Sequence, residues 1–143
     1  MDLTITFPGN SRVNAEFNGF TVATDQAVDG GGEGSAPEPF DLFLASLGTC
    51  AGIYALSFLQ NRGIPTDALR MTLSTERDPS RRMLKKIIFH VVVPECFPQK
   101  YVPALIRSID HCTVKRHLHE PPEFETIVAI GDSVDKASRS PTA

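Results

Sequence analysis

Cys50 closes the stretch Pro37-Glu38-Pro39-Phe40-Asp41-Leu42-Phe43-Leu44-Ala45-Ser46-Leu47-Gly48-Thr49-Cys50, in which an acidic pair, Glu38 and Asp41, leads into an apolar run that ends on a thiol. With Phe43, Ser46 and Tyr54 at helical neighbour spacing, such a cysteine is by default a small buried hydrophobe; it becomes a nucleophile only where its surroundings favour thiolate. Cys112 differs. With Asp110 as N-cap it falls in the first turn of a helix, where the positive end of the helix dipole stabilises a negative sulfur. Cys96, within Pro94-Glu95-Cys96-Phe97-Pro98, reads as a loop or strand-end thiol. Three cysteines leave one over, so free thiols are expected instead of a disulfide framework. No CxxC occurs, and of His111, Cys112, His117 and His119 only Cys112 and His119 share a helix face. Neither a metal nor a cofactor is expected.

These residues must be positioned by a chain of 143 residues, the length of one ordinary domain. Hydrophobic residues make up 41% and charged residues 22%, values of a globular protein. A formal net charge of −3 provides no basic field for phosphates, so no nucleic-acid partner is expected. The opening MDLTITFPGN lacks the charged and apolar regions of a secretory leader, which predicts a cytoplasmic protein. Positions 42–61 carry no charge and are long enough to span a bilayer. Ser46, Gly48, Thr49, Gly52, Ser57, Gln60 and Asn61 dilute that run, and a helix buried within a domain, with no membrane, is the expectation.

Leu3 to Asp25 reads as a three-strand meander, with Asn18-Gly19 as a two-residue hairpin turn. Gly30-Gly31-Gly32-Glu33-Gly34-Ser35 lacks the strand-to-helix context of a phosphate loop and reads as a flexible linker or mobile rim. A helix follows from about Pro39 to Arg62, opened by proline and Asp41 and closed by Arg62-Gly63. It is apolar on most sides, hence central, and bears a small-residue stripe at Ala45, Gly48, Thr49 and Gly52. Strands are expected at Arg70 to Glu76 and Leu84 to Val93. The second has apolar residues on both faces, so it should be covered on both. Helices over about 99–109 and 111–119 and a strand over 123–130 complete one domain, residues 1–130, with a flexible tail at 131–143. The order βββαββααβ predicts an α+β fold of antiparallel sheet with a long central helix.

The run Pro39 to Cys50 resembles the P-x-E/x-L-x-x-A-x-x-x-C helix of the OsmC/Ohr family, and Cys112-Thr113-Val114-Lys115 resembles its C-x-V-S/K segment. The two cysteines are 62 positions apart, near that family's separation, and the element order is similar over most of residues 1–130. The resemblance implies an intertwined homodimer that reduces organic hydroperoxides without a cofactor. Cys50 is then the peroxidatic thiol and Cys112 the resolving one, with a dithiol reductant, such as one of lipoyl type, reopening the disulfide. Such chemistry needs an arginine beside the thiolate and a carboxylate to hold it.

The departures from the pattern fall on those two supports. The peroxidase branches carry a glutamate ten positions before the first cysteine, where this chain has Phe40, and an N-terminal Gly-Gly-Arg, which it lacks. Asp41 and Glu38 are the nearest carboxylates; Arg12, reaching over from the partner subunit, is the default guanidinium. Phe40, Phe43 and Tyr54 are expected to line an apolar pocket. The pattern is that of an OsmC-like protein outside the two well-defined peroxidase branches. The alternative function is a dimeric small-molecule binding or redox-sensing protein with little turnover.

Overall fold

The computed structural model describes residues 2–131 and 138–140. The chain opens with β1 (Thr4–Gly9), β2 (Arg12–Phe17) and β3 (Phe20–Thr24), an antiparallel meander in the order β1-β2-β3. Asn18 at φ 50° and Gly19 at φ 78° form the two-residue hairpin that Asn-Gly favours, pairing Phe17 with Phe20. A single 3₁₀ turn at Val28–Gly30 leads to the long helix α1 (Pro39–Gln60). Next come β4 (Arg70–Arg77) and β5 (Leu84–Val92), paired antiparallel from Arg70↔Val92 to Arg77↔Leu84. A 3₁₀ turn at Gln99–Tyr101 leads into α2 (Val102–Asp110) and then α3 (Thr113–His119). The architecture is α+β, as expected: antiparallel sheet with three helices.

Three expectations change. Within the segment read as a flexible tail, Ser138–Ser140 form β7, paired antiparallel with β6 (Thr126–Val128); positions 132–137 and 141–143 of that segment lie outside the described residues. Polar composition does not forbid a ladder made by backbone groups. β6 itself is shorter than the run over 123–130. Finally, β5 is not covered on both faces: among the described residues it pairs with β4 alone, and Val92 stays 60% exposed.

The core forms where α1 meets α2, α3 and β4. Ala51, Ala55, Phe58 and Leu59 of α1 pack with Phe97, Leu105, Ile109 and Cys112. Phe58, Phe97 and Tyr101 form an aromatic triangle with centroids 6.3–6.4 Å apart, and Arg62 lies 3.6 Å above the Phe58 ring while donating to its carbonyl at 3.1 Å. The helix ends at Gln60 with Asn61 as C-cap, two residues before the expected Arg62, so its last turn is not cationic; Arg62 and Gly63 (φ 63°) lie in the turn that follows. By length and composition α1 is apolar enough to cross a membrane, yet this face of it is the centre of the core. The opposite face is not buried. Ala45, Ser46, Thr49 and Ile53 are exposed, and Ala45, Gly48 and Thr49 of the small-residue stripe line an open groove of ≈ 530 Å³ against Met71, Leu73 and Thr75 of β4. The expectation of a helix covered on most sides thus holds for one face of α1 only.

The β1–β3 sheet touches the helices sparsely among the described residues. Leu3, Ile5, Phe7 and Phe20 remain exposed on it.

The glycine-rich segment is an ordered loop instead of a flexible linker. The fully buried Asp25 carboxylate accepts the backbone N–H groups of Gln26 (2.8 Å), Glu33 (3.1 Å) and Ser35 (3.0 Å), together with the Ser35 hydroxyl (2.8 Å). Those bonds hold its carboxyl well below the usual carboxylate range, at about 2, with Ser35 contributing most. Gly32 sits so close to the Gln26 carbonyl that a Cβ there would lie 2.0 Å from the oxygen.

Candidate active site

The start of α1 is fixed by its own first residues. Pro39 occupies the first turn, where its missing N–H costs nothing, and Glu38 and Asp41 close a capping box. Asp41 Oδ2 accepts the Glu38 N–H at 3.3 Å, and Glu38 Oε1 accepts the Ala27 N–H at 3.1 Å. Both carboxylates are thus engaged in building the helix entry. From there α1 carries Cys50 three turns along to the point where α2 gives way to α3.

That corner differs from the sequence reading by one cap. Asp110 is the last residue of α2, and Cys112 is itself the N-cap of α3, which begins at Thr113. The Cys112 side chain is consequently turned inward, fully buried, toward Cys50. Both are free thiols, and Cys50 packs against the core cluster to which Cys112 belongs, so each influences the other's titration.

Their environments split them. For Cys50, burial pushes the thiol pKa up, but the Cys112 thiol and the backbone N–H groups of Val114 and Thr113 outweigh it and leave the group below the ordinary value of 9.0. For Cys112, burial and the bond to Cys50 raise the pKa; the N–H groups of Lys115 and Val114 offset this only in part. The result is a partly exposed thiol biased toward thiolate against a buried one held as SH. The shared proton makes these properties of the pair.

Neighbouring groups hold the corner in place. Tyr54 Oη lies 3.4 Å from Thr113 Oγ1, and Ser108 Oγ donates to the Tyr54 carbonyl at 3.4 Å, so the turn of α1 after Cys50 is tied to both shorter helices. Lys115 Nζ donates to Asp110 Oδ1 at 2.9 Å and stands 4.2 Å over the Phe89 ring, bracing the α2–α3 junction against β5. Among the histidines, His117 Nδ1 is 2.8 Å from the Thr113 carbonyl, and no group of three or more His, Cys, Asp or Glu able to hold a metal occurs among the described residues.

The remaining sequence-predicted residues lie elsewhere. Arg12, at the start of β2, reaches Glu33 of the ordered loop (Nη1 to Oε2, 3.9 Å), whose other oxygen takes Asn10 Nδ2 at 2.9 Å. Glu33 is a carboxylate that the sequence reading passed over; only the three-dimensional course of the loop brings it to Arg12. Phe40 and Phe43 stack with centroids 5.4 Å apart and line a cavity with Arg77, Arg82, Met83, Leu84 and Ile87 at the entry of α1, away from Tyr54. Cys96 is exposed on the loop before α2, as expected.

With this geometry established, the comparisons can be placed. The family described as OsmC-like protein matches residues 32–127, which includes α1, both thiols and the β4–β5 hairpin. The chain belongs to the OsmC-like family. No curated protein matches it. Among solved structures it is similar to an OsmC-like protein of Mycoplasma pneumoniae, at 17% identity and a TM-score of 0.67, covering 84% of this chain and 87% of that one. An organic hydroperoxide resistance protein OsmC of Legionella pneumophila matches at 19% identity and 0.57, covering 82% and 87%. An OsmC-like hydroperoxide resistance protein of Jannaschia sp. CCS1 matches at 18% and 0.56, covering 96% and 95%. At these identities the likeness establishes the fold, and this OsmC-like chain's own residues must carry any argument about its chemistry.

Proposed function

We propose that this protein reduces organic hydroperoxides through Cys50 and Cys112. The observation that carries the reading is the placement of Cys50 against the core cluster that holds Cys112, with Cys50 the more accessible and the more acidic. Cys50 thiolate attacks the distal oxygen of ROOH; the O–O bond breaks, a proton is taken up, ROH leaves and Cys50 becomes a sulfenic acid. The Cys112 sulfur then attacks that sulfur as its proton is lost, releasing water and forming the Cys50–Cys112 disulfide. A dithiol returns two electrons and two protons and is itself left as a disulfide. Burial of Cys112 suits this order, since peroxide in solution meets Cys50 first.

Arg12 of a partner subunit is the proposed guanidinium at Cys50, in a homodimer whose second copy also covers the open face of α1. Glu33 serves as the carboxylate that orients Arg12, while Glu38 and Asp41 are spent on the helix cap. The test is consumption of a small hydroperoxide by reduced protein with a dithiol present. Cys50→Ser is expected to abolish it; substantial turnover by that variant overturns the reading.

A further inference from the structure

The cavity at the entry of α1 has a composition that the thiol chemistry does not require. Phe40, Phe43, Met83, Leu84 and Ile87 supply an apolar floor, and Arg77 and Arg82 stand at the two ends of the β4–β5 turn on its rim. Its ≈ 530 Å³ falls within the range of small-molecule sites. Phe40 is 48% and Met83 66% exposed, so apolar surface faces solvent here until something covers it.

Neither guanidinium is held in an ion pair or hydrogen bond among the described residues. Asp78, the acid in the turn, accepts the Ser80 N–H at 2.8 Å and the Ser80 hydroxyl at 2.7 Å on Oδ1. The acids at the start of α1 are likewise engaged: Asp41 accepts the Glu38 N–H, and Glu38 accepts the Ala27 N–H. Among the described residues the ion pairs are Arg12 with Glu33 and Lys115 with Asp110, and neither involves Arg77 or Arg82. Two arginines free of ion pairs in an otherwise apolar lining are complementary to an anionic head on an aliphatic tail.

We propose that this cavity binds an aliphatic carboxylate, its head on Arg77 and Arg82 and its tail between Phe40, Phe43, Met83 and Ile87. The lining is aliphatic apart from two phenyl rings that stack on each other, and it offers no polar side chain other than the arginines, which disfavours a nucleobase or sugar. Leu84 and Ile87 also line the adjoining cavity, whose other walls are mixed, Leu47, Phe89 and Leu118 beside Lys85, Lys86, Asp110, Lys115 and His119, so the tail is expected to stay within the first cavity. The site does not depend on the thiol reaction.

Calorimetric titration of the reduced full-length protein, without peroxide, tests it. Decanoate is expected to bind, and decanol and butyrate each at least about tenfold more weakly, because each lacks one half of the recognition. Arg77→Gln/Arg82→Gln should bring decanoate down to the level of decanol, and Phe40→Ser should weaken both ten-carbon ligands, with unchanged circular dichroism in each case. Equal affinity for decanoate and decanol, an unaltered decanoate affinity in the arginine variant, or no decanoate binding because a second copy occupies the cavity, overturns the proposal.

Discussion

At the scale of single residues, Cys50 owes its acidity to groups from one corner of the fold: the Cys112 thiol and the first N–H groups of α3. The rate of peroxide consumption should therefore rise with pH and level off with an inflection below the ordinary thiol value of 9.0, read from stopped-flow pH profiles. Cys112→Ala removes one of those hydrogen bonds, so the inflection should move upward, and Cys50 should accumulate as sulfinic acid, visible by mass spectrometry. Both cysteines were legible as a pair through their spacing and motifs. Their difference runs opposite to the expectation, in which Cys112 is the one favouring thiolate, because the burial that raises Cys112 and the neighbouring thiol that lowers Cys50 are set by how the helices pack. Asp110 as a helix cap was a wrong expectation for a related reason: the chain turns two residues later, making Cys112 the cap and turning it inward. Asp25 also went unread, since a lone acid after a strand gives no hint of the four donors that the loop folds around it. Its carboxyl is lowered from 3.8 to about 2, so its contribution is present above pH 3.8 and is lost as pH falls through 2. Hydrogen exchange of residues 26–35 should accelerate across that window, and Asp25→Asn should produce the same acceleration at neutral pH.

At the scale of elements, α1 was the most legible part of the chain. Its proline start and acidic first turn act where the residue types place them, while its end comes at Gln60, two residues before Arg62, which instead donates back to the Phe58 carbonyl from the following turn. The segment before it was the least legible. Four glycines in five positions suggest flexibility, yet they permit a tight path around Asp25 that other residues would block. Gly32→Ala should force the loop off Asp25 and lower unfolding stability by about 1–3 kcal/mol in urea titrations. A change within ±0.5 kcal/mol, the range of an ordinary surface substitution, would show that the loop is not held this way. The strands illustrate a different limit. Alternation located β1 to β5 within a residue or two, but the two-sided apolar pattern of β5 predicts cover that this one chain does not supply.

At the scale of the molecule, three surfaces stand uncovered among the described residues: the outer face of α1, the outer edge of β5 and the apolar residues of the β1–β3 sheet. A second copy is the proposed cover, and it is also the proposed source of Arg12 for Cys50. Light scattering should accordingly give twice the chain mass, and Gly48→Trp, which fills the groove on α1, should lower it toward one chain. Sequence could suggest this assembly only through resemblance, because no residue type marks a face as waiting for its twin. The central claim is narrower and rests on two sulfurs. It is tested most directly by adding one equivalent of a small organic hydroperoxide to fully reduced protein and mapping the product by peptide mass spectrometry. The account predicts the loss of two thiols per chain, one equivalent of alcohol, and a Cys50–Cys112 disulfide, with Cys96 still reduced. Persistence of both thiols, or oxidation of Cys96 ahead of Cys50, would contradict it.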